Sequence, residues 1–281
     1  MPLCKARRRS MRRAHRIAAI SKTLVERPHH VFGLGEFADL FDVARSTLSE
    51  DLAIIRATFE VLQMGKVETM AGAAGGVRYL PILTKEQILS SVEDICQRLR
   101  EPDRILPGGV LFIDDLLASP RLLQTVGQIF ATKFQSQEPE YVVTVETAGI
   151  SVALQVAQAL NVPIVIVRRQ SKPTEGPVLT MNFVSGLDRQ IETMSLSRRA
   201  LSSGSRVLLI DDFMKAGGTL RGLTDLMGEF ACSVVGMGVL IESGWPQEKL
   251  IGDHLPLVYL QEVDIKEQKV VVRPADWILR E

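Results

Sequence analysis

The segment Arg206-Val-Leu-Leu-Ile-Asp-Asp-Phe-Met-Lys-Ala-Gly-Gly-Thr219 constrains this chain more than any other. Four apolar residues, Val207 to Ile210, run into Asp211 and Asp212, and the chain then passes through Phe213-Met214-Lys215-Ala216 to Gly217-Gly218-Thr219. A continuous Val/Leu/Ile run reads as a strand buried on both faces, as in parallel sheets covered by helices. Two carboxylates at the end of such a strand are costly unless partnered, so the strand has to deliver them to a site. Ligands of open α/β sheets bind beyond the carboxyl ends of the strands. Small residues at a helix start let backbone N–H groups close on a phosphate, and the helix dipole favours the anion. Ionised Asp211 and Asp212 only accept hydrogen bonds, which suits two neighbouring ribose hydroxyls. A phosphate cradle beside a diol acceptor predicts a ribose 5-phosphate site. The alternative, an ordinary strand–turn–helix corner, leaves the acids without a partner.

The surrounding pattern predicts a doubly wound α/β domain over residues 81–281. Strands are expected at 141–146, 163–167, 206–211 and 233–241, alternating with helices at 150–160 and 219–230. Thr84 and Gln87 form a capping box ahead of the stripe Ile88, Leu89, Val92, Ile95 and Leu99. Gly109–Asp114 is expected as a further strand, and Ser119-Pro120 as the capped start of a helix. Leu111-Phe-Ile-Asp-Asp115 also ends in two acids but lacks a following glycine pair, so it reads as a helix entry outside the core of the site. Residues 170–204 are rich in Ser, Thr, Gly, Lys and Arg and are expected to form a long mobile loop, a length uncommon unless functional.

Residues 1–80 read differently. A weak amphipathic helix over 8–25 is followed by a short helix from Gly35 to Phe41, a turn at Asp42–Ala44, and a helix opened by a Thr47/Glu50 capping box. That helix carries Leu48, Leu52, Ile55, Phe59 and Leu62 on one stripe. Two short strands, Lys66–Met70 and Val77–Leu80, flank a glycine-rich loop. The order is that of a winged helix-turn-helix. The formal net charge of the chain is zero, which taken alone argues against a nucleic-acid partner, yet residues 1–80 hold 13 Lys and Arg against 8 Asp and Glu. Residues 81–281 carry the opposite excess. Arg7, Arg8, Arg9 and Arg12 belong to a basic arm over residues 5–16, suited to sequence-independent phosphate contacts. Arg45, Ser46, Thr47 and Ser49 surround the start of the recognition helix, where groove contacts are made, and Lys66 and Arg78 lie on the wing. A solubilising tail is the alternative for the arm, and a protein-interaction domain for the helices.

Cys4, Cys96 and Cys232 are too far apart for a disulfide framework or a metal pair, and His15, His29, His30 and His254 have no metal-binding spacing. No segment reads as a membrane span or secretory signal. A cytoplasmic protein without a structural metal is expected.

The Arg206–Thr219 segment resembles the phosphoribosyl pyrophosphate (PRPP) motif of type I phosphoribosyltransferases. The resemblance places the pyrophosphate loop at Thr147, Ala148 and Gly149, and basic residues facing the pyrophosphate or base at Arg168 and Arg169. Two departures weigh against transfer: Ala216 stands where the enzymes commonly carry Thr, and Met181–Ser195 does not match the catalytic loop of purine-salvage enzymes. The whole chain resembles the purine operon repressors of Gram-positive bacteria, through Ser49-Glu-Asp-Leu52, Gly72-Ala-Ala-Gly-Gly-Val77, Arg104-Ile-Leu-Pro-Gly-Gly109, Thr174-Glu-Gly176, Val184-Ser-Gly186, Thr193-Met-Ser-Leu196 and Asp211–Thr219. That resemblance implies a homodimeric, non-enzymatic regulator that binds double-stranded operator DNA and represses genes of purine synthesis and transport. PRPP is the implied inducer, with no obligatory cofactor, magnesium as an optional companion, and purine nucleotides as candidate competitors. The competing expectation is a xanthine or adenine phosphoribosyltransferase with a DNA-binding appendage.

Overall fold

A computed structural model describes residues 11–72, 75–170, 176–184 and 191–280. The chain divides into two compact units, Met1–Leu83 and Thr84–Glu281.

The first unit runs α1 (Arg13–Glu26), β1 (Phe32–Gly33), α2 (Leu34–Phe41), α3 (Arg45–Val61), β2 (Lys66–Met70) and β3 (Gly76–Leu80). The three strands form an antiparallel sheet in the order β1-β3-β2. β1 is too short to leave a periodic signal, and the sequence reading omits it. Leu48, Leu52, Ile55 and Phe59 are buried as the stripe requires, against Ile20 and Leu24 of α1 and Phe37 and Phe41 of α2. Leu62 lies past the end of α3 and is exposed. The expected Thr47/Glu50 box does not form. Asp42 takes a left-handed conformation that closes α2, the extended Ala44 already serves as N-cap, and α3 begins three residues early without a side-chain cap. Glu50 is drawn instead to Arg13, 3.4 Å away.

Part of the basic arm is committed to this core. Asp51 of α3 is fully buried and accepts from Arg16 Nε at 2.5 Å and Arg13 Nε at 3.0 Å. Arg16 is itself buried and also donates to the Met11 carbonyl. These two arginines fasten α1 to α3, which corrects the expectation that the whole arm through residue 16 is free for phosphates.

The second unit contains α4 (Lys85–Leu99), the paired strands β4 (Ile105–Leu106) and β5 (Val110–Leu111), α5 (Asp114–Leu117), α6 (Pro120–Phe134), β6 (Tyr141–Val145), α7 (Gly149–Leu160), β7 (Ile164–Val167), β8 (Val178–Val184), β9 (Ile191–Ser197), β10 (Arg206–Met214), α8 (Gly218–Glu229), β11 (Ser233–Ser243), β12 (Leu255–Asp264), β13 (Lys269–Pro274) and α9 (Asp276–Arg280). The main sheet has the order β13-β12-β11-β10-β6-β7 and is parallel except at β13. Val143, Val145, Val207 and Leu209 meet Leu220, Leu223 and Leu226 of α8 in one core. The capping box on α4 forms, with Gln87 N donating to Thr84 Oγ1 at 3.3 Å and Thr84 N to Gln87 Oε1 at 2.9 Å. The uncharged run 147–167 is divided between α7 and β7, and among the described residues no helix is long and apolar enough to cross a membrane.

Three expectations change here. Gly109–Asp114 is not a strand of the main sheet: Val110 and Leu111 pair with β4, and Asp114 and Asp115 open α5. Arg104 fixes that geometry by holding both oxygens of Asp115, at 2.6 and 2.8 Å. Ser119 occupies the N-cap of α6 but makes no side-chain capping bond, and Pro120 at the first position presets the turn. Residues 170–204 contain the antiparallel hairpin β8–β9, which is joined to the end of β7 by a bridge between Arg168 and Ser195.

The buried Asp51 pair gives a direct prediction. Asp51→Ala leaves Arg16 buried without its counter-charge and should destabilise the first unit by about 3 kcal/mol, as expected for breaking a buried pair from one side. Arg13→Ala, at a half-exposed position, should cost about 1 kcal/mol or less. Urea unfolding followed by a probe in the first unit checks both, and equal costs would contradict the argument.

Candidate functional site

β10 carries Asp211 and Asp212 to the carboxyl edge of the sheet, next to the end of β6. Asp211 is buried, Asp212 half-buried, and the Asp212 N–H donates to Asp211 Oδ1 at 3.1 Å. Gly149, the first residue of α7, lies directly against the pair. A β-carbon there would stand 2.5 Å from Thr144 Oγ1, 3.1 Å from Asp211 Oδ1 and 3.6 Å from Asp212 Oδ1. Only glycine lets the 147–149 turn approach the acids this closely, so Thr147, Ala148 and Gly149 are gathered with Asp211 and Asp212 at one edge. The peptide between Glu146 and Thr147 is cis.

Burial raises the pKa of Asp211 well above the ordinary carboxylate value, and the neighbouring charge of Asp212 adds to the rise. Asp212 is also raised, first by burial and further by Asp114, against the pull of nearby N–H groups. The ligand-free pair therefore holds a proton more readily than two free aspartates would, which corrects the picture of two simple acceptors. Asp114, set aside in the sequence reading, is close enough to act on the pair.

Beyond the acids, Met214 turns into the core, and Phe213 pairs with Ile241 of β11. Lys215 is exposed, while Ala216, Gly217 and Gly218 are buried and Thr219 is half-buried. Gly217 is the N-cap of α8 with a φ of 87°, in the left-handed region that favours glycine. The first turn of α8 leaves N–H groups without helical acceptors. The Ala216 carbonyl is held by the Leu250 N–H at 2.8 Å.

Arg168 and Arg169 both turn to Glu146. Arg168 Nη1 donates to Glu146 Oε2 at 2.9 Å, and the Arg169 N–H donates to Glu146 Oε1 at 2.7 Å. Arg169 also forms an ion pair with Glu192 of β9. The two arginines are thus not standing cations: an incoming anion has to compete with Glu146 and Glu192 for them. Arg169 remains close enough to the pair to pull the Asp211 pKa downward, against the larger effects of burial and Asp212.

In the first unit, Arg45 opens α3 and is exposed along with Ser46 and Ser49; Thr47 is half-buried. Ser49 Oγ donates to the Arg45 carbonyl at 3.0 Å. Arg12 is exposed at the N-cap of α1, whereas Arg7, Arg8 and Arg9 lie outside the described residues. Lys66 and Arg78 are both held by Glu68, at 2.7 and 2.9 Å. The wing is therefore locally neutralised, while Arg12, Arg27, Arg45 and Arg56 are exposed.

Comparison with known proteins agrees with both halves. Residues 12–81 match the family model described as bacterial purine repressor, N-terminal, and residues 113–276 match the phosphoribosyl transferase domain. The class so defined is a winged-helix regulator carrying a phosphoribosyltransferase-type domain. Over 95% of its length the chain is 41% identical to the purine biosynthesis transcriptional repressor PurR of Bacillus subtilis, and it spans 94% of that protein. It is 40% identical to the purine biosynthesis transcriptional activator PurR of Lactococcus lactis subsp. lactis, over 94% of this chain and 97% of that one. The chain belongs to this family of bacterial purine-biosynthesis transcriptional regulators. The second unit is also similar to enzymes: xanthine phosphoribosyltransferase of Deinococcus deserti is 36% identical over 52% of this chain and 78% of its own. Adenine phosphoribosyltransferase of Rhodothermus marinus superposes with a TM-score of 0.52 at 27% identity, over 61% of this chain and 99% of that one.

Glu146, Thr144, Asp114 and Glu192 are the site residues that sequence reasoning passed over. Thr144 and Glu146 lie inside the segment singled out for its turn, but only the fold shows what they face. The raised pKa of Asp211 makes a prediction whose sign is fixed. A carboxyl whose folded pKa exceeds its unfolded value stabilises the fold most when protonated, so this contribution falls as the pH rises from about 4 through the folded pKa. Asp211→Asn should therefore raise ligand-free stability at pH 8 relative to the wild type. It should also flatten the loss of stability with rising pH, as read by denaturant unfolding at pH 5 and pH 8.

Proposed function

We propose that this protein is a repressor of purine synthesis and transport genes, acting as a homodimer on double-stranded operator DNA, and that PRPP is the inducer. The observation that carries the reading is the meeting of Asp211, Asp212 and Gly149 at the mouth of the phosphate loop, in a chain whose other unit is a winged helix. The acids suit the ribose hydroxyls of PRPP, the Lys215–Thr219 loop its 5-phosphate, and the Thr147–Gly149 turn its pyrophosphate. Magnesium fits as a companion of the ligand: one or two carboxylates plus ligand phosphates are its usual setting, and among the described residues no cluster of three or more metal-binding side chains exists to hold it otherwise.

A ligand shifts an equilibrium only by binding one state better than the other. Arg169 supplies a physical route. It joins Glu146, beside the pyrophosphate turn, to Glu192 at the foot of β9. A bound pyrophosphate drawing on Arg169 weakens its hold on Glu192 and changes the stability of the β8–β9 hairpin. The state so favoured has the lower DNA affinity. Purine nucleotides carrying a diphosphate meet the same donors and compete.

The protein is not a transferase in this reading, since Ala216 lacks the hydroxyl that a threonine would offer a phosphate. The likeness to xanthine and adenine phosphoribosyltransferases keeps that question experimental. Incubation with PRPP, magnesium and each purine base should yield no nucleotide; turnover at enzymatic rates would reverse the assignment.

In gel-shift titrations at fixed salt, PRPP should raise the DNA dissociation constant, and Asp211→Ala should remove that response. An unchanged dissociation constant in the wild type would sink the inducer reading. Arg45→Ala should weaken DNA binding by about 1–3 kcal/mol. Deleting residues 1–10 removes Lys5, Arg7, Arg8 and Arg9 and should flatten the log–log salt slope by up to about 3.6, at about 0.9 per phosphate contact.

A further inference from the structure

Behind the phosphate loop stands a buried polar cluster that neither the acidic pair nor the arginines explain. Glu242, near the end of β11, is 3% exposed, and its backbone lies in register with Met214 of β10. Lys249 has a side chain only 8% exposed and lies 3.6 Å from Glu242 Oε1. Its ammonium donates to the Lys215 carbonyl at 2.7 Å and to the Ser243 carbonyl at 2.6 Å. The adjoining Leu250 N–H takes the Ala216 carbonyl at 2.8 Å. His254 Nε2 sits 3.0 Å from Glu242 Oε2, and the Tyr259 hydroxyl also meets this carboxylate.

Two consecutive carbonyls of the loop, those of Lys215 and Ala216, are thus claimed by two consecutive residues, Lys249 and Leu250. In a trans peptide the C=O and N–H lie in one rigid plane and point in opposite directions. Turning these carbonyls onto Lys249 and Leu250 therefore turns the Ala216 and Gly217 N–H groups the other way, with the first turn of α8. A buried cation is an expensive means of closing a loop, because a hydrophobic side chain of similar volume is often as stabilising. Burial also pulls the Lys249 pKa down, and Glu242 opposes that pull. A charge retained at this cost, with two of its three protons on named carbonyls, is suited to holding donors in place and adding positive potential behind an anion.

We propose that Lys249, held by Glu242, is the positioning residue of the Lys215–Thr219 loop, fixing its N–H groups toward the 5-phosphate of the ligand. The inference rests on the PRPP reading of the site and adds a residue to it. The pyrophosphate turn at Thr147–Gly149 is built on other elements, so the loss of Lys249 should separate the two halves of the ligand.

The test is equilibrium binding of PRPP, ribose 5-phosphate and inorganic pyrophosphate to the full chain and to Lys249→Met. Ribose 5-phosphate and PRPP should each bind about tenfold more weakly, the equivalent of one charged hydrogen bond, while pyrophosphate binding stays as in the wild type. Glu242→Gln, which keeps the side-chain volume and removes the counter-charge, should move the same two ligands in the same direction and serves if Lys249→Met does not fold. Unchanged ribose 5-phosphate affinity, or equal losses for ribose 5-phosphate and pyrophosphate, would overturn the proposal. A wild-type protein that binds none of the three would overturn the PRPP reading and this inference with it.

Discussion

Two adjacent carboxylates at the end of a buried strand are the constraint on which the second unit depends. Desolvation disfavours their ionised forms and each charge disfavours the other, so the sheet gains nothing in stability from placing them there. Their neighbours are arranged accordingly. β6 lies beside β10, which brings the 147–149 turn to the pair; Gly149 has no side chain, which leaves room between turn and acids; Arg169 offsets part of the charge. An edge built this way is costly to the fold, and the proposed ligand would offset that cost with its hydroxyls and accompanying charges. Sites that bind are often built at the expense of the unliganded fold.

The first unit shows the opposite use of charge. Its arginines are numerous in sequence but unequal in role. Arg13 and Arg16 close on Asp51, and Lys66 and Arg78 close on Glu68. Counting charges over residues 1–80 therefore overstates the field that a duplex would meet among the described residues, where Arg12, Arg27, Arg45 and Arg56 are exposed and the arginines and lysine just named are paired. The same correction applies in the second unit, where Glu146 and Glu192 hold the arginine pair. In both units positive charge is stored in ion pairs, and an incoming polyanion has to exchange partners rather than fill a waiting pocket.

Much of the architecture was legible in the residues because its signals are local. The Val207–Ile210 run, the Gly217-Gly218 helix start, the Thr84/Gln87 box and the α3 stripe each depend on a few consecutive positions, and each formed. Features without a local signal were missed. β1 has two residues, the Gly109–Asp114 run looks like a strand until Arg104 captures Asp115, and the hairpin within 170–204 hides among polar residues. The Thr47/Glu50 pair has capping chemistry, but the turn at Asp42 started the helix before it could be used.

By itself the sequence determined the two-part organisation, the acid pair, the phosphate loop and the family resemblance, since these are fixed by residue type and spacing along one chain. Only the tertiary structure decided which charges are free. Whether Arg16 meets DNA or Asp51, whether Arg169 stands alone or holds Glu192, and whether Lys249 is a surface lysine or holds the Lys215 carbonyl depends on partners 35, 23 and 34 residues away. Such pairings follow from how helices and strands pack, and no pattern within a single element encodes them.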